Sequence, residues 1–179
     1  MPLITNLEYN KEEFDKRLRY KTLPVANITN ELQAVALELL GDMYNMNAIG
    51  LAANQVGLKI RLCVMDPAFM IDKKMPIVMF NPEIVEVGEE FFTAPEGCLS
   101  LPNLGLQVPR FRNIVVRYLG LDRKEHIIKD DNSLLSSVLQ HEIDHLDGVL
   151  MIDRVVEPVE VEYSVPLEVH KNLVGNGMR

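Results

Sequence analysis

The chain has 179 residues, a length that one domain with a single core accommodates. Hydrophobic residues make up 47% and charged residues 25%, ordinary globular usage that excludes a disordered chain. The formal net charge of -8 speaks against direct nucleic-acid binding, which calls for a basic face.

Residues 1–14 carry charges early and lack the apolar run of a signal peptide, so no targeting segment is expected there. No stretch reaches the roughly 20 apolar residues of a membrane span. Two cysteines, Cys63 and Cys98, make no disulfide framework and suit a reducing compartment. Residues 11–20 are highly charged and read as a surface segment. From Thr29 the pattern turns helical, with Leu32, Val35, Ala36, Leu39, Leu40 and Met43 at spacings of three and four. Thr29 or Asn30 suits the N-cap, and the helix should stop near residues 45–47.

A small-residue stretch follows, residues 47–57. Strands are then expected at 58–65, 76–87, 106–118 and 125–129, with Pro67, Pro76, Pro82, Pro102 and Pro109 marking breaks or edges. A second helix is expected from Asn132 to Leu146. Asp131, Asn132 or Ser133 could cap its start, and Gly148 stands where a C-terminal glycine belongs. In the tail, residues 155–169 alternate with a period of two, which predicts a strand held to an edge by Pro158 and Pro166. The predicted class is α+β: one domain over residues 1–179, with mixed or antiparallel sheets packed around a central metal-binding helix and a strand-like C-terminal tail.

The second helix carries the chemistry. His141 and His145 lie four residues apart, so their rings stack on one face, about 5–6 Å apart at Cβ. Two imidazoles so placed can share one metal ion. Glu142 falls on a face with Leu135, Val138, Leu139 and Leu146, so its carboxylate is expected to be at least partly buried. Burial raises a carboxylate's pKa and a nearby metal lowers it, opposed pushes that suit a group taking and returning protons. A buried carboxylate paired with an arginine is the plainer alternative. Asp144 is expected to be solvated or structural.

A catalytic metal site usually has three protein ligands and one open position. A histidine six residues after His145 would be one candidate, but that position is Met151. Glu162 and Glu168 are downstream carboxylates of the kind some zinc proteases use. Cys98, in a loop beside Gly97, offers a thiolate. Cys63, in an apolar run, reads as a small core residue.

Three segments together resemble peptide deformylase: Gly50-Leu51-Ala52-Ala53-Asn54-Gln55, then Glu96-Gly97-Cys98-Leu99-Ser100, then Gln140-His141-Glu142-Ile143-Asp144-His145. The likeness runs over about residues 15–153. It implies a metal-dependent hydrolase that removes the formyl group from the N-terminal formyl-methionine of new polypeptides. It further implies Cys98, His141 and His145 as metal ligands and Glu142 as general acid/base, with Gln55 and the backbone N–H of Leu99 stabilising the oxyanion. Gly50 would contact substrate through its backbone. One thiolate and two imidazoles suit Fe²⁺, Zn²⁺, Ni²⁺ or Co²⁺, and the resemblance favours Fe²⁺. Ile49, Leu134, Ser137 and Val138 are expected around a methionine pocket, with core packing the plainer alternative for Leu134 and Val138, and Gly97 is expected to contact substrate. The implied partner is a formyl-Met nascent peptide, met transiently at the ribosome by a monomer. No membrane partner is expected, and the compartment is the cytoplasm (an organelle or host cytoplasm if the source is organellar or viral). Ala48 stands where the family commonly has glycine, and would be strained if the backbone there needed positive φ.

Overall fold

Local sequence rules account for the two helices that precede the sheets. The computed structural model describes residues 1–68, 74–130, 133–157 and 159–163. The charged segment is not merely surface: Lys11–Leu18 form a helix, α1, which buries Phe14 and Leu18, four residues apart on one face. Asn10 caps it by accepting the N–H of Glu13 at 3.0 Å. Helix α2 spans Asn30–Asn45, capped by Thr29, and buries Ala36, Leu39 and Met43 as the spacing predicts. The positive φ that follows falls on Asn47, at 54°, and not on Ala48, so alanine is accommodated without backbone strain.

The strands are β1 (Gly50–Ala52), β2 (Leu62–Met65), β3 (Ile77–Val87), β4 (Phe91–Cys98), β5 (Leu101–Phe111), β6 (Ile114–Leu119) and β7 (Glu125–Asp130). A five-stranded sheet runs β1-β2-β3-β6-β7, every neighbour antiparallel, and β4 with β5 forms a separate hairpin. Pro82 lies inside β3 at a register shift between Phe80 and Glu83, a bulge where its missing N–H leaves no ladder bond unmade. The strand expected at 58–65 starts only at Leu62. The single strand expected over 106–118 is two, split around Asn113 and assigned to different sheets. Cys98, expected in a loop, ends a strand over residues 91–98.

Helix α3, Ser133–Leu146, lies where the sequence placed it; the cap candidates Asp131 and Asn132 fall outside the described residues. Leu139, Ile143 and Leu146 pack on Met65, Met79 and Val116 of the five-stranded sheet. On another side α3 is stapled to β5: Ser136 Oγ and Gln140 Nε2 both donate to the Phe111 carbonyl, at 2.7 and 2.8 Å, and Gln140 Oε1 accepts the Phe111 N–H at 3.0 Å. Gly148 ends the helix region with φ +76°, and a Cβ there would lie 2.6 Å from the backbone nitrogen of Tyr20.

The tail departs from the expected strand. None of residues 155–157 and 159–163 is in a strand; the rest of the alternating stretch, Pro158 and residues 164–169, lies outside the described residues. Period two predicts extension but supplies no partner ladder. Val161 and Tyr163 pack beside Phe14 and Leu18, and Tyr163 meets Phe14 edge to face at 5.5 Å between centroids. Among the described residues no helix is long and apolar enough to cross a membrane.

Candidate active site

Three elements converge at the site: α3 supplies His141, Glu142 and His145, the end of β4 supplies Cys98, and a 3-10 turn, Ala53–Val56, supplies Gln55. Cys98 is thus the last residue of a strand, not a loop residue. Its Sγ lies 3.2 Å from His145 Nε2, and the rings of His141 and His145 sit edge to face with centroids 4.9 Å apart. One donor atom each from Cys98, His141 and His145 fall within 4.8 Å of one another. Among the described residues this is the only His/Cys/Asp/Glu group of three or more able to hold a metal ion. Glu162 is not in it, and Glu168 lies outside the described residues.

The donor set fits such an ion. His141 Nδ1 pairs with Glu96 Oε2 at 2.8 Å, which leaves Nε2 as the ring's ligand atom. Burial opposes ionisation of Cys98, but the neighbouring histidines overcome it and hold the thiol well below its ordinary pKa. A ready thiolate between two imidazoles suits a borderline-soft divalent cation.

Glu142 is 4% exposed. Among the described residues it has no arginine partner, and its Oε2 has no hydrogen-bond partner. Burial raises its pKa to about 7, against the pull of His141 and His145. Gly50 makes room for it: a Cβ at Gly50 would come within 2.8 Å of the Glu142 carboxyl carbon. Gly50→Ala should therefore displace the carboxylate and lower kcat/KM about 100-fold in any turnover that uses it; an unchanged rate would mean that Glu142 does not act from this position.

Gln55 is oriented by its neighbours. Its Oε1 accepts the Ala52 N–H at 2.9 Å, and its Nε2 faces Ser100 Oγ at 3.1 Å and Cys98 Sγ at 3.7 Å. A cavity of about 620 Å³ opens above these groups. All the expected pocket residues line it: Ile49, Gly50, Gly97, Leu134, Ser137 and Val138, together with Gln55, Leu99, Cys98, His141 and Glu142. His145 does not line it; it is buried beneath, 1% exposed. Ser137 Oγ donates back to the Leu134 carbonyl at 2.8 Å.

Sequence reasoning missed the charged support behind His141. Both Glu96 oxygens accept from Arg110, at 2.7 and 2.9 Å, and Arg110 Nη1 donates to Asp144 Oδ2 at 2.6 Å. Arg154 closes the outer end on Asp144. Asp144 is structural, not solvated. The signal lay in β4: Glu96 stands two residues before Cys98, hence on the same strand face. The far wall of the cavity, Leu101–Gly105 of β5, was also unforeseen.

A family model described as Polypeptide deformylase matches residues 8–160. The chain is 45% identical over 145 residues to the peptide deformylase of Endomicrobium trichonymphae, covering 80% of this chain and 83% of the relative. It is 45% identical over 141 residues to that of a Picosynechococcus species, covering 79% and 75%. Its fold is similar to the crystal structure of Arabidopsis thaliana peptide deformylase 1B in complex with an inhibitor, at TM-score 0.78 and 30% identity over 88% of this chain and 82% of that one. The Ehrlichia chaffeensis peptide deformylase bound to actinonin compares at TM-score 0.76 and 30% identity, over 88% and 91%. Matched over most of its length in sequence and in fold, the chain belongs to the polypeptide deformylase family, metal-dependent hydrolases that remove the N-formyl group from nascent polypeptides.

Proposed function

We propose that residues 1–179 form one catalytic domain that deformylates N-terminal formyl-methionine, with Cys98, His141 and His145 holding one divalent ion. A buried carboxyl, Glu142, that faces an open cavity beside that donor set and has a free oxygen is the observation that carries this reading. The ion, Fe²⁺ by the family resemblance and otherwise Zn²⁺, Ni²⁺ or Co²⁺, supplies the Lewis acidity that acidifies water and polarises the formyl carbonyl.

The chain's own residues then move protons and hold charge. Glu142 takes a proton from the attacking water and delivers it to the departing amine nitrogen as the C–N bond breaks, leaving formate and a free methionine α-amine. Negative charge grows on the formyl oxygen, and the Gln55 amide and the Leu99 N–H are the donors that meet it. Removing one such donor costs about 10²–10³ in turnover. Ile49, Leu134 and Val138 give the methionine side chain apolar walls. Ser137, its hydroxyl tied back to the helix, presents little bulk to that pocket, and Gly50 and Gly97 leave the substrate backbone room to approach.

The substrate emerges from the ribosome, so contact there is transient. A chain of net charge -8 needs no direct hold on nucleic acid. It works as a monomer in the cytoplasm or an equivalent compartment. The test is formate release from formyl-Met peptides by anaerobically purified protein of known metal content. Stoichiometric metal with formate release is the expected result; a fully loaded protein that releases none would overturn the reading.

A further inference from the structure

Asn54 stands one residue before Gln55 in the same 3-10 turn and is fully buried. Its Nδ2 donates to the carbonyl of His145 at 2.5 Å and to that of Leu18 at 3.3 Å. Both partners are carbonyl oxygens, which only accept, so the amide must face them with its nitrogen. The His145 carbonyl belongs to the last turn of α3, where it also accepts the Gly148 N–H at 3.0 Å, and the Leu18 carbonyl lies at the end of α1, where helices leave acceptors without intrahelical partners. The next carbonyl of α3, that of Leu146, is held from elsewhere, by the N–H and Oγ1 of Thr22 at 2.8 and 2.9 Å.

These contacts close a ring. Asn54 grips the backbone of His145; the imidazole of His145 lies 3.2 Å from Cys98 Sγ; that sulfur lies 3.7 Å from Gln55 Nε2; and Gln55 is bonded to Asn54 through the chain. A side chain that only filled space would stabilise the fold without linking two functional groups. We infer that Asn54 is a positioning residue: it ties the end of the metal-binding helix to the turn bearing Gln55 and so sets the spacing between the Gln55 amide and the Cys98–His145 pair. The inference rests on the roles proposed for Gln55 and the ligand set. Its physical basis is the steep dependence of catalysis on placement, since a displacement of about 1 Å can cost about 100-fold.

The test uses the metal-loaded enzyme and a formyl-Met peptide. Asn54→Ala should lower kcat about 10- to 100-fold with KM within about twofold, and a chelator should strip its metal about 10-fold faster. Combined with Gln55→Ala, it should be no slower than Gln55→Ala alone, because both act on one donor. Thr22→Val, which removes a buried hydrogen bond to the neighbouring carbonyl, should lower the melting temperature and leave kcat unchanged. Unchanged kcat in Asn54→Ala, or losses that multiply with Gln55→Ala, would overturn the inference. If Asn54→Ala does not fold, Asn54→Ser, which keeps a donor for one carbonyl, carries the same readouts. Full activity in Gln55→Ala alone would instead sink the role proposed for Gln55.

Discussion

Glu142→Gln is expected to lower kcat/KM about 10²–10⁴-fold while the protein keeps its metal. The swap preserves size and removes only the capacity to take and return a proton. The metal should stay because, among the described residues, the group able to hold an ion is Cys98, His141 and His145 and does not include Glu142. Metal analysis and formate release on the same sample decide the matter: normal turnover refutes the acid/base role, whereas loss of metal shows Glu142 to be part of the ligand environment. A second measurement uses the metal-free protein. There burial lifts the Glu142 pKa from 4.5 to about 7, so the folded state holds a proton that the unfolded chain has released. A raised carboxylate pKa means that stability falls as pH rises between those two values. In Glu142→Gln this part of the slope disappears, so the difference in melting temperature between the two proteins should shift across pH 5 to 7 and level off above it. A difference independent of pH would mean that Glu142 is ionised throughout that range.

How far the site could be read from the sequence depended on the element that carries each residue. His141, Glu142 and His145 were legible because a helix of known period fixes which residues share a face, and Leu139, Ile143 and Leu146 mark the buried side. Cys98 had no such frame. Its strand contains Thr93, Pro95 and Gly97, which break the apolar alternation that announces a strand, and only the resemblance singled the residue out. Without a strand signal in β4, nothing places Glu96 on the face of Cys98 or brings Arg110, one strand over and opposite Phe92 in the hairpin, to meet it. Helix α1 was hidden for another reason: two apolar residues, Phe14 and Leu18, are enough to bury one face of an eight-residue helix but too few to show a period. The tail shows the reverse error. Alternation there was clear, but a strand also needs a partner edge, which periodicity cannot supply.

Arg110→Met should lower unfolding free energy by about 3–5 kcal/mol, because it removes the cation that two buried carboxylates share and leaves them only His141 and Arg154 as partners. The Arg110 side chain is 2% exposed, and those of Glu96 and Asp144 are 7% and 10% exposed. Arg154→Met removes the outer partner, whose side chain is 46% exposed, and should cost about 0–1 kcal/mol, the range of surface ion pairs. Denaturant titration of the two variants tests the contrast; equal losses would mean that the buried arginine does no more than the exposed one. Arg110 has a further consequence through Glu96, which accepts from His141 and holds its Nε2 toward the ligand set. With Glu96 loosened, metal affinity should fall about 10–100-fold. The two effects separate in a triple variant, Arg110→Met with Glu96→Gln and Asp144→Asn. Removing all three leaves no buried charge unpaired, and Arg154, which loses Asp144, is 46% exposed and solvated, so stability should recover most of its loss. Metal affinity should stay low, because a neutral amide orients the imidazole and raises its basicity less than a carboxylate does. Affinity that returned with stability would show that the charged group supports the fold alone and leaves the candidate donor group as it is.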